Sequence, residues 1–295
     1  FLLPFKIIKS LLKARTIIKS FQPQVVIGVG GYASGPTLKV ATLLKIPTLI
    51  QEQNSFPGKT NKILSKSVSK ICVAYDGLER FFPADKIALT GNPTRQKMVD
   101  TVGKEIEGFK HYGFDSNNKK TLLIIGGSLG ARTLNESVIH HLEALKKSET
   151  QVIWQCGKLY HDRLVEELKQ TELGSIKMVQ FIDRMDLAYS IADVVISRAG
   201  AISVSELCLV KKPTILVPSP NVAEDHQTKN AMALVNKDAA LLVKDIDAKE
   251  SLIPTALDLL KNQEKRIELS TKITQLGKPN ATADIVNEIE LLILT

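Results

Sequence analysis

The sequence has few cysteines, few aromatic residues and no long apolar segment. Its 295 residues include three cysteines and one tryptophan, and aromatic residues make up only 5%. Cys72, Cys156 and Cys208 are odd in number and far apart in apolar surroundings, which predicts buried, reduced thiols in a cytosolic protein rather than disulfides or a metal cage. No apolar run reaches the ~18 residues that a membrane-spanning helix needs.

Acidic residues are missing from the start of the chain. The first is Glu52, and the seven lysines and arginines before it account for nearly all of the net charge of +8. The rest of the chain is close to neutral. This distribution argues against a general nucleic-acid surface and predicts one basic face near the N-terminus.

That basic segment also carries apolar residues at helical spacing. The residues that form the pattern are Phe1, Phe5, Lys6, Ile8, Lys9, Leu12 and Lys13. Basic residues beside bulky apolar ones are typical of a helix that lies on an anionic membrane surface. An ordinary amphipathic helix packed on its own sheet would give the same pattern, so both interpretations stay open.

The stretch from Thr121 to Asn135 has the most informative local pattern. Thr121–Ile125 is apolar and β-branched, which predicts a buried parallel strand, and a glycine turn and a helical pattern follow it. A strand, a glycine turn and a helix N-terminus form an anion site, because free backbone N–H groups point at one spot. A plain tight turn is the alternative, but the Ser128 hydroxyl favours phosphate by adding a donor.

Strand and helix patterns alternate in both halves of the chain. In the second half, strands are predicted at 121–125, 151–155, 177–180, 193–197, 213–217 and 240–243. This alternation predicts an α/β fold with doubly wound parallel sheets and ligands at the carboxyl ends of the strands. Periodicity is lost over residues 93–118, and we place a domain boundary between residues 94 and 95.

Near the N-terminus the chain also matches a dinucleotide-binding fingerprint. Gly28, Gly30 and Ala33 have the G-x-G-x-x-A spacing, and Glu52 follows about 20 residues later, where a ribose-binding acid is expected. An NAD-dependent enzyme is therefore an alternative function.

Two further motifs each allow a functional and a structural interpretation. Ser203 and Glu206 have the spacing of a capping box, yet a carboxylate there could also accept hydrogen bonds from two ribose hydroxyls. Asp245 and Asp247 have the D-x-D spacing of metal-dependent glycosyltransferases, but Asp247 more simply caps a helix over 248–261. The five histidines have no ligand spacing, and we predict no metal.

Seven motifs occur together in one order and resemble those of the bacterial MurG family of GT-B glycosyltransferases. They are GVGGYASGP (28–36), EQN (52–54), TGNPTR (90–95), GGSLGARTLNE (126–136), FIDRM (181–185), SRAGAISVSE (197–206) and EDHQTKNA (224–231). The resemblance covers nearly the whole chain. It implies two Rossmann-like domains facing across a cleft, and transfer of GlcNAc from UDP-GlcNAc to MurNAc in lipid I, which forms lipid II for peptidoglycan.

The resemblance also implies roles for individual residues. A donor domain would begin at Arg95, and the last helix would pack back on the N-terminal domain. Ser128 would contact the diphosphate, Ile182 the uracil through its backbone, and Glu206 the ribose. Gln227, beside His226, would bind the GlcNAc hydroxyls. The full set of donor-binding residues would be Asn54, Arg95, Ser128, Ile182, Ala201, Ile202, Ser203, Val204, Ser205, Glu206 and Gln227. The residues facing lipid I would be Gly30, Gly31, Tyr32 and Ser34.

Finally, the resemblance implies a peripheral protein on the cytoplasmic face of the inner membrane, with the N-terminal helix on the anionic surface and no metal cofactor. Two departures matter. The family's general-base histidine is expected in a glycine loop before Phe1, and Gln51 stands where the family usually has histidine. A protein that binds UDP-GlcNAc without transferring it is therefore a further alternative.

Overall fold

The computed structural model describes residues 3–114 and 119–294; Phe1, which was predicted to face the membrane, lies outside them. The chain forms two compact units. The first contains the residues up to Thr94 together with those from Lys278 onward, and the second is Arg95–Gly277. Within the described residues, none of the helices is long and apolar enough to cross a membrane.

The first unit is built on a parallel sheet of four strands, which pair in chain order. The strands are β1 (Val26–Gly28), β2 (Thr48–Glu52), β3 (Lys70–Val73) and β4 (Ile87–Leu89). The helices that precede or connect them are α1 (Leu3–Phe21), α2 (Gly31–Leu43) and α3 (Lys59–Leu64). Leu38 of α2 packs on Ile50 and Ile71 to form the core of one face.

The second unit is built on a parallel sheet of six strands. They are β5 (Thr121–Ile125), β6 (Gln151–Gln155), β7 (Ile176–Val179), β8 (Val194–Ser197), β9 (Thr214–Leu216) and β10 (Leu241–Leu242). These bounds confirm the six predicted strands to within two residues. Their order in the sheet is β10-β9-β8-β5-β6-β7. The chain thus leaves β5 toward one edge of the sheet and β8 toward the other, which makes the β5–β8 pair the topological switch point.

Helices cover both faces of this second sheet, which explains why its strands are almost continuously apolar. They are α4 (Gln96–Val99), α5 (Glu105–Tyr112), α6 (Arg132–His140), α7 (Leu142–Lys147), α8 (His161–Glu167), α9 (Met185–Ile191), α10 (Ala201–Val210), α11 (His226–Val235), α12 (Ala248–Lys261) and α13 (Gln263–Thr274). The last helix, α14 (Ala281–Leu294), belongs to the first unit, where Ile285 packs on Leu49 and Cys72. All three cysteines are buried and unpaired, as predicted.

Residues 93–118, where the sequence pattern indicated no element, contain the short helices α4 and α5. At its contact with α9, helix α5 presents a glycine. A Cβ atom on Gly108 would lie 2.7 Å from Ile191 Cγ2 of α9. Beside this contact, Lys104 Nζ donates to Asp186 Oδ2 at 3.1 Å. Helix α5 is therefore held by close backbone approach and an ion pair, neither of which a local apolar pattern reveals.

Helix α1 packs on its unit with a different stripe from the predicted one. Ala14 and Ile18 are buried against α2. The predicted apolar positions Phe5, Ile8 and Leu12 are 72%, 55% and 60% exposed. At about 100° per residue they lie on the opposite side of the helix from Ala14 and Ile18. The predicted stripe therefore does not face the sheet of its own unit.

Candidate active site

A cavity of about 640 Å³ lies in the second unit, where β5, β8 and β9 end. Its wall comes from the loops that follow these strands and from the ends of neighbouring elements. The lining residues are Gly126, Gly127, Ser128, Leu129, Gly130, Ala131, Arg132, Thr133, Tyr160, Arg198, Gly200, Ser203, Ser219, Pro220, Asn221, Gln227 and Asp245. The cavity thus occupies the switch point of the sheet, where open parallel sheets bind their ligands.

The glycine loop after β5 leads directly into α6. This helix begins at Arg132, and its N-cap residue, Ala131, has no side-chain hydrogen bond to the first turn. The first N–H groups of the helix are therefore left for a ligand, and the helix dipole favours an anion there. Ser128 is exposed at the cavity wall and adds its hydroxyl. The strand, glycine turn and helix start that were predicted here are present, and phosphate binding at Ser128 stays a prediction.

The loop after β6 holds the glycine loop in place. Lys158 N donates to Ser128 O at 3.0 Å, and Leu159 N donates to Leu129 O at 3.2 Å. The backbones touch at Gly130 and Gly157, which have φ angles of +90° and +86°. A Cβ atom on Gly157 would lie 2.1 Å from Gly130 N. Only glycine fits at such a contact, because neither backbone can move away from the other.

A second helix start lies beside the first. Helix α10 begins at Ala201 with Gly200 as its N-cap, so Ser203 is in the first turn rather than at the cap. The capping-box interpretation of Ser203 and Glu206 is therefore wrong. Ser203 instead lines the cavity together with Gly200. Because β5 and β8 are adjacent, the starts of α6 and α10 face the same cavity.

Gln227 is fixed at the cavity by its side-chain oxygen. Its Oε1 accepts from Ala199 N at 3.2 Å and from Ser219 N at 2.8 Å. Since both partners are backbone N–H groups, this atom must be the oxygen, and Nε2 is left without a described partner. An amide nitrogen held in this way can donate to a hydroxyl oxygen of a ligand. His226, the residue before Gln227, is not among the described residues that line this cavity.

Not all of the predicted donor-binding residues lie in this wall. Glu206 is only 9% exposed, and Ile182 only 3%. Burial raises the pKa of Glu206, and nearby Arg95 partly opposes the shift. Ile202 is exposed, while Val204 is buried. Near the start of α10, Ser205 Oγ donates to Ala201 O at 3.1 Å, one turn back in the same helix.

In the first unit, Glu52 does not have the surroundings of a dinucleotide-binding acid. It is 1% exposed, and its two carboxylate oxygens accept four hydrogen bonds from within the unit. The donors are Asn54 N, Asn54 Nδ2, Gly58 N and Asn61 Nδ2. No acceptor position is left for ribose hydroxyls, since a carboxylate has about four. The structure therefore contradicts the NAD-binding alternative.

The other predicted residues of this unit lie around the same strand ends. Gln51, at the position where histidine was expected, is buried and donates through Nε2 to Asn92 Oδ1 at 2.9 Å. Tyr32 is 92% exposed. Ser34 Oγ donates to Gly31 O at 3.0 Å in the first turn of α2. Gly30 is the N-cap residue of that helix and Gly31 its first residue.

Comparison with known proteins identifies the two units. Residues 1–73 match the model of the glycosyltransferase family 28 N-terminal domain, and residues 121–289 match that of its C-terminal domain. The chain belongs to glycosyltransferase family 28.

Family 28 relatives with assigned activities match almost the whole chain. The UDP-N-acetylglucosamine–N-acetylmuramyl-(pentapeptide) pyrophosphoryl-undecaprenol N-acetylglucosamine transferase of Bacteroides fragilis is 52% identical over 96% of this chain and 75% of its own length. The enzyme of the same name from Phocaeicola vulgatus is 54% identical, over 97% and 76%. The crystal structure of MurG from Acinetobacter baumannii is 31% identical, with a TM-score of 0.79 over 97% of this chain and 79% of its own.

Within this family 28 site, sequence reasoning missed Arg198 and Asp245. The Asp245-x-Asp247 spacing drew attention as a metal motif or a helix cap. Helix α12 does begin at Ala248, but Asp247 makes no side-chain cap hydrogen bond. Asp245 accepts instead from Arg198 Nη1 and from Thr133 Oγ1. Among the residues described, no group of three or more His, Cys, Asp and Glu side chains is placed to hold a metal ion.

The contact between Gly130 and Gly157 gives a testable prediction. We expect Gly157→Ala to lower the free energy of unfolding by about 3 kcal/mol or more, because it adds a backbone clash to left-handed strain of roughly 1–2 kcal/mol. Gly174→Ala is the matched control, since Gly174 also has a left-handed φ (+56°) but open space around it. Denaturant unfolding measures both losses, and amide hydrogen exchange should quicken across residues 126–131 only in Gly157→Ala. Equal losses in the two variants would contradict this role of the contact.

Proposed function

We propose that the protein is an inverting glycosyltransferase that moves GlcNAc from UDP-GlcNAc to the C4 hydroxyl of MurNAc in lipid I, forming lipid II. The main support is the identity of 52–54% over at least 96% of the chain to relatives named for this reaction. The switch-point cavity supports it independently, because two helix starts and a glycine loop suit a nucleotide diphosphate.

The mechanism that we propose is in-line displacement at the anomeric carbon. A base removes the proton of the acceptor hydroxyl, and negative charge develops on the departing UDP. Backbone N–H groups in the first turns of α6 and α10 face this charge and are already oriented before reaction, which is the arrangement that stabilises a transition state. Because backbone N–H groups stabilise this charge, the proposed transfer needs no divalent cation.

Within the second unit, the proposed donor contacts follow the order of the loops. The diphosphate lies beside Ser128 and Ser203, and the Nε2 group of Gln227 donates to GlcNAc hydroxyls. Glu206 accepts from the ribose hydroxyls, with Arg95 nearby, and Ile182 meets the uracil. Asn54 of the first unit, and the lipid I contacts of Gly30, Gly31, Tyr32 and Ser34, stay predictions from family resemblance.

We also propose that α1 binds the cytoplasmic face of the membrane. Its outward stripe of Phe5, Ile8 and Leu12 is exposed, and Lys6, Lys9 and Lys13 are exposed beside it. Apolar side chains can enter the headgroup region while lysines meet anionic lipids. A lipid-linked acceptor requires such a location. Helix α1 packs on its own unit through Ala14 and Ile18. Because the outward stripe lies on another side of the helix, none of the described residues covers it.

Transfer and donor binding are best tested on one sample. We expect the protein to convert UDP-GlcNAc and a lipid I analogue into lipid II and UDP at the same rate in excess EDTA as with Mg²⁺. Product analysis by chromatography and UDP-GlcNAc titration by calorimetry make the two measurements. Binding without product would instead support the non-transferring alternative, and a requirement for Mg²⁺ would contradict the metal-independent mechanism.

The buried Glu206 should make ribose recognition pH-dependent. The ionised carboxylate accepts both ribose hydroxyls, so affinity should be full above the raised pKa and be lost as the pH falls through it. Uridine is the right probe, because it has no phosphate that titrates in this range. We expect calorimetry to show uridine affinity falling at a higher pH than an exposed glutamate would give. Glu206→Gln should bind about tenfold more weakly and without this dependence. Wild-type affinity in that variant would exclude the role.

The membrane proposal predicts an effect of charge at α1. Replacing Lys6, Lys9 and Lys13 with glutamine should reduce partitioning onto anionic vesicles by about 1 kcal/mol per lysine. The control replaces Lys146, Lys147 and Lys169 of the second unit, which removes the same charge elsewhere. Vesicle co-sedimentation compares the two variants, and equal partitioning would contradict membrane binding through α1.

A further inference from the structure

We infer that Arg198 is a catalytic residue whose guanidinium contacts the donor diphosphate and stabilises charge on departing UDP, and that Asp245 positions it. The inference rests on the proposed function and deepens it. Arg198 follows β8 at the switch point and lines the same cavity as the glycine loop and Ser203. Its side chain is only 16% exposed, so it is a fixed part of the wall.

One end of the guanidinium is firmly anchored. Arg198 Nη1 donates to Val217 O at 3.0 Å and to Pro218 O at 3.3 Å, and it also contacts Asp245 Oδ1. The two carbonyls come from the end of β9, the strand next to β8 in the sheet. The anchoring groups therefore all lie on one side of the guanidinium.

The other end is free to bind an anion. Nε and Nη2 of Arg198 make no hydrogen bond to the described residues. Neither nitrogen is a fully buried atom without a partner, so both are open to a ligand. These two nitrogens carry three of the five N–H groups of an arginine, in the planar fork that matches phosphate oxygens. A half-anchored arginine in the wall of a phosphate cavity is preorganised for a diphosphate.

Asp245 ties this arginine to the first helix start. Its Oδ1 contacts Arg198, and its Oδ2 accepts from Thr133 Oγ1 at 3.0 Å. Thr133 lies in the first turn of α6, directly after the glycine loop. The carboxylate thus fixes the guanidinium relative to the N–H groups that meet the diphosphate. Both carboxylate oxygens of Asp245 already have partners within the protein, so we assign it a positioning role.

The other arginine of the wall is held far less firmly. The Arg132 side chain is 73% exposed, and its ion pair with Glu136 is 3.6 Å long, within one helix. An ion pair as exposed as this one does little to fix the orientation of the Arg132 side chain. Arg198 is therefore the better-held cation at this cavity.

The proposed step moves no proton to or from the arginine. The bond between the anomeric carbon and the β-phosphate oxygen breaks, and its electron pair stays on that oxygen as the acceptor oxygen forms the new bond. The guanidinium of Arg198 keeps its positive charge throughout, as arginine side chains do in proteins. Its N–H groups bind more strongly as the phosphate gains charge, which lowers the barrier.

The test compares the affinities of two ligands that differ only in the diphosphate. We expect Arg198→Gln to weaken UDP binding by about 10- to 100-fold and leave uridine binding within about twofold, as measured by calorimetry. The turnover number for GlcNAc transfer should fall by about 100-fold. Arg266→Gln is the control, because it removes an arginine of similar burial from another place. Arg266 lies on α13, and its Nη1 is 3.4 Å from Asp193 Oδ1. This control should lower thermal stability without changing either affinity.

Asp245→Asn tests the positioning role. We expect turnover to fall about tenfold with the KM for UDP-GlcNAc within about threefold, and no further loss when the change is added to Arg198→Gln. Losses that multiply in the double variant would overturn the role of Asp245. An equal loss of UDP and uridine affinity in Arg198→Gln, or no loss, would overturn that of Arg198. Wild-type protein that binds uridine but not UDP would overturn the proposed function as well.

Discussion

The pairing of β5 with β8 is the constraint on which the site depends. These strands are far apart in sequence but adjacent in the sheet, and each ends at a loop that starts a helix. Because the strands are parallel, both loops lie at the same edge, and the starts of α6 and α10 face one cavity. Two sets of backbone N–H groups, from the first turns of these helices, therefore lie at one cavity. A single strand–loop–helix unit would provide only half of this arrangement.

The remaining parts of the site keep those helix starts in place. The loop after β6 holds the glycine loop through two backbone hydrogen bonds and the contact between Gly130 and Gly157. The oxygen of Gln227 ties the loops after β8 and β9 together. Asp245 links Arg198 to the first turn of α6. A site built from backbone N–H groups needs such support, because a loop that moves loses the alignment of its donors.

Local patterns predicted the strands and the glycine loop, since apolar β-branched runs and glycine turns act over a few residues. They could not predict Arg198 or Asp245, because these residues are 47 positions apart and meet only through the order of strands in the sheet. The helix at Glu105–Tyr112 was not predicted, because it is short and meets α9 at Gly108, which has no side chain. The apolar pattern near the N-terminus predicted helix α1 correctly. It did not predict which side of the helix is buried, because Ala14 and Ile18 form a second, shorter stripe.

We propose that UDP binds at the two helix starts of the second unit and that no cation is needed there. A crystal structure of the protein soaked with UDP in the presence of EDTA would show whether this is so. The diphosphate should lie between the glycine loop at Gly126–Ala131 and the first turn of α10 at Ala201–Ser203, in contact with backbone N–H groups. UDP bound elsewhere, or bound at this place only when a divalent cation is added, would rule out this mode of binding.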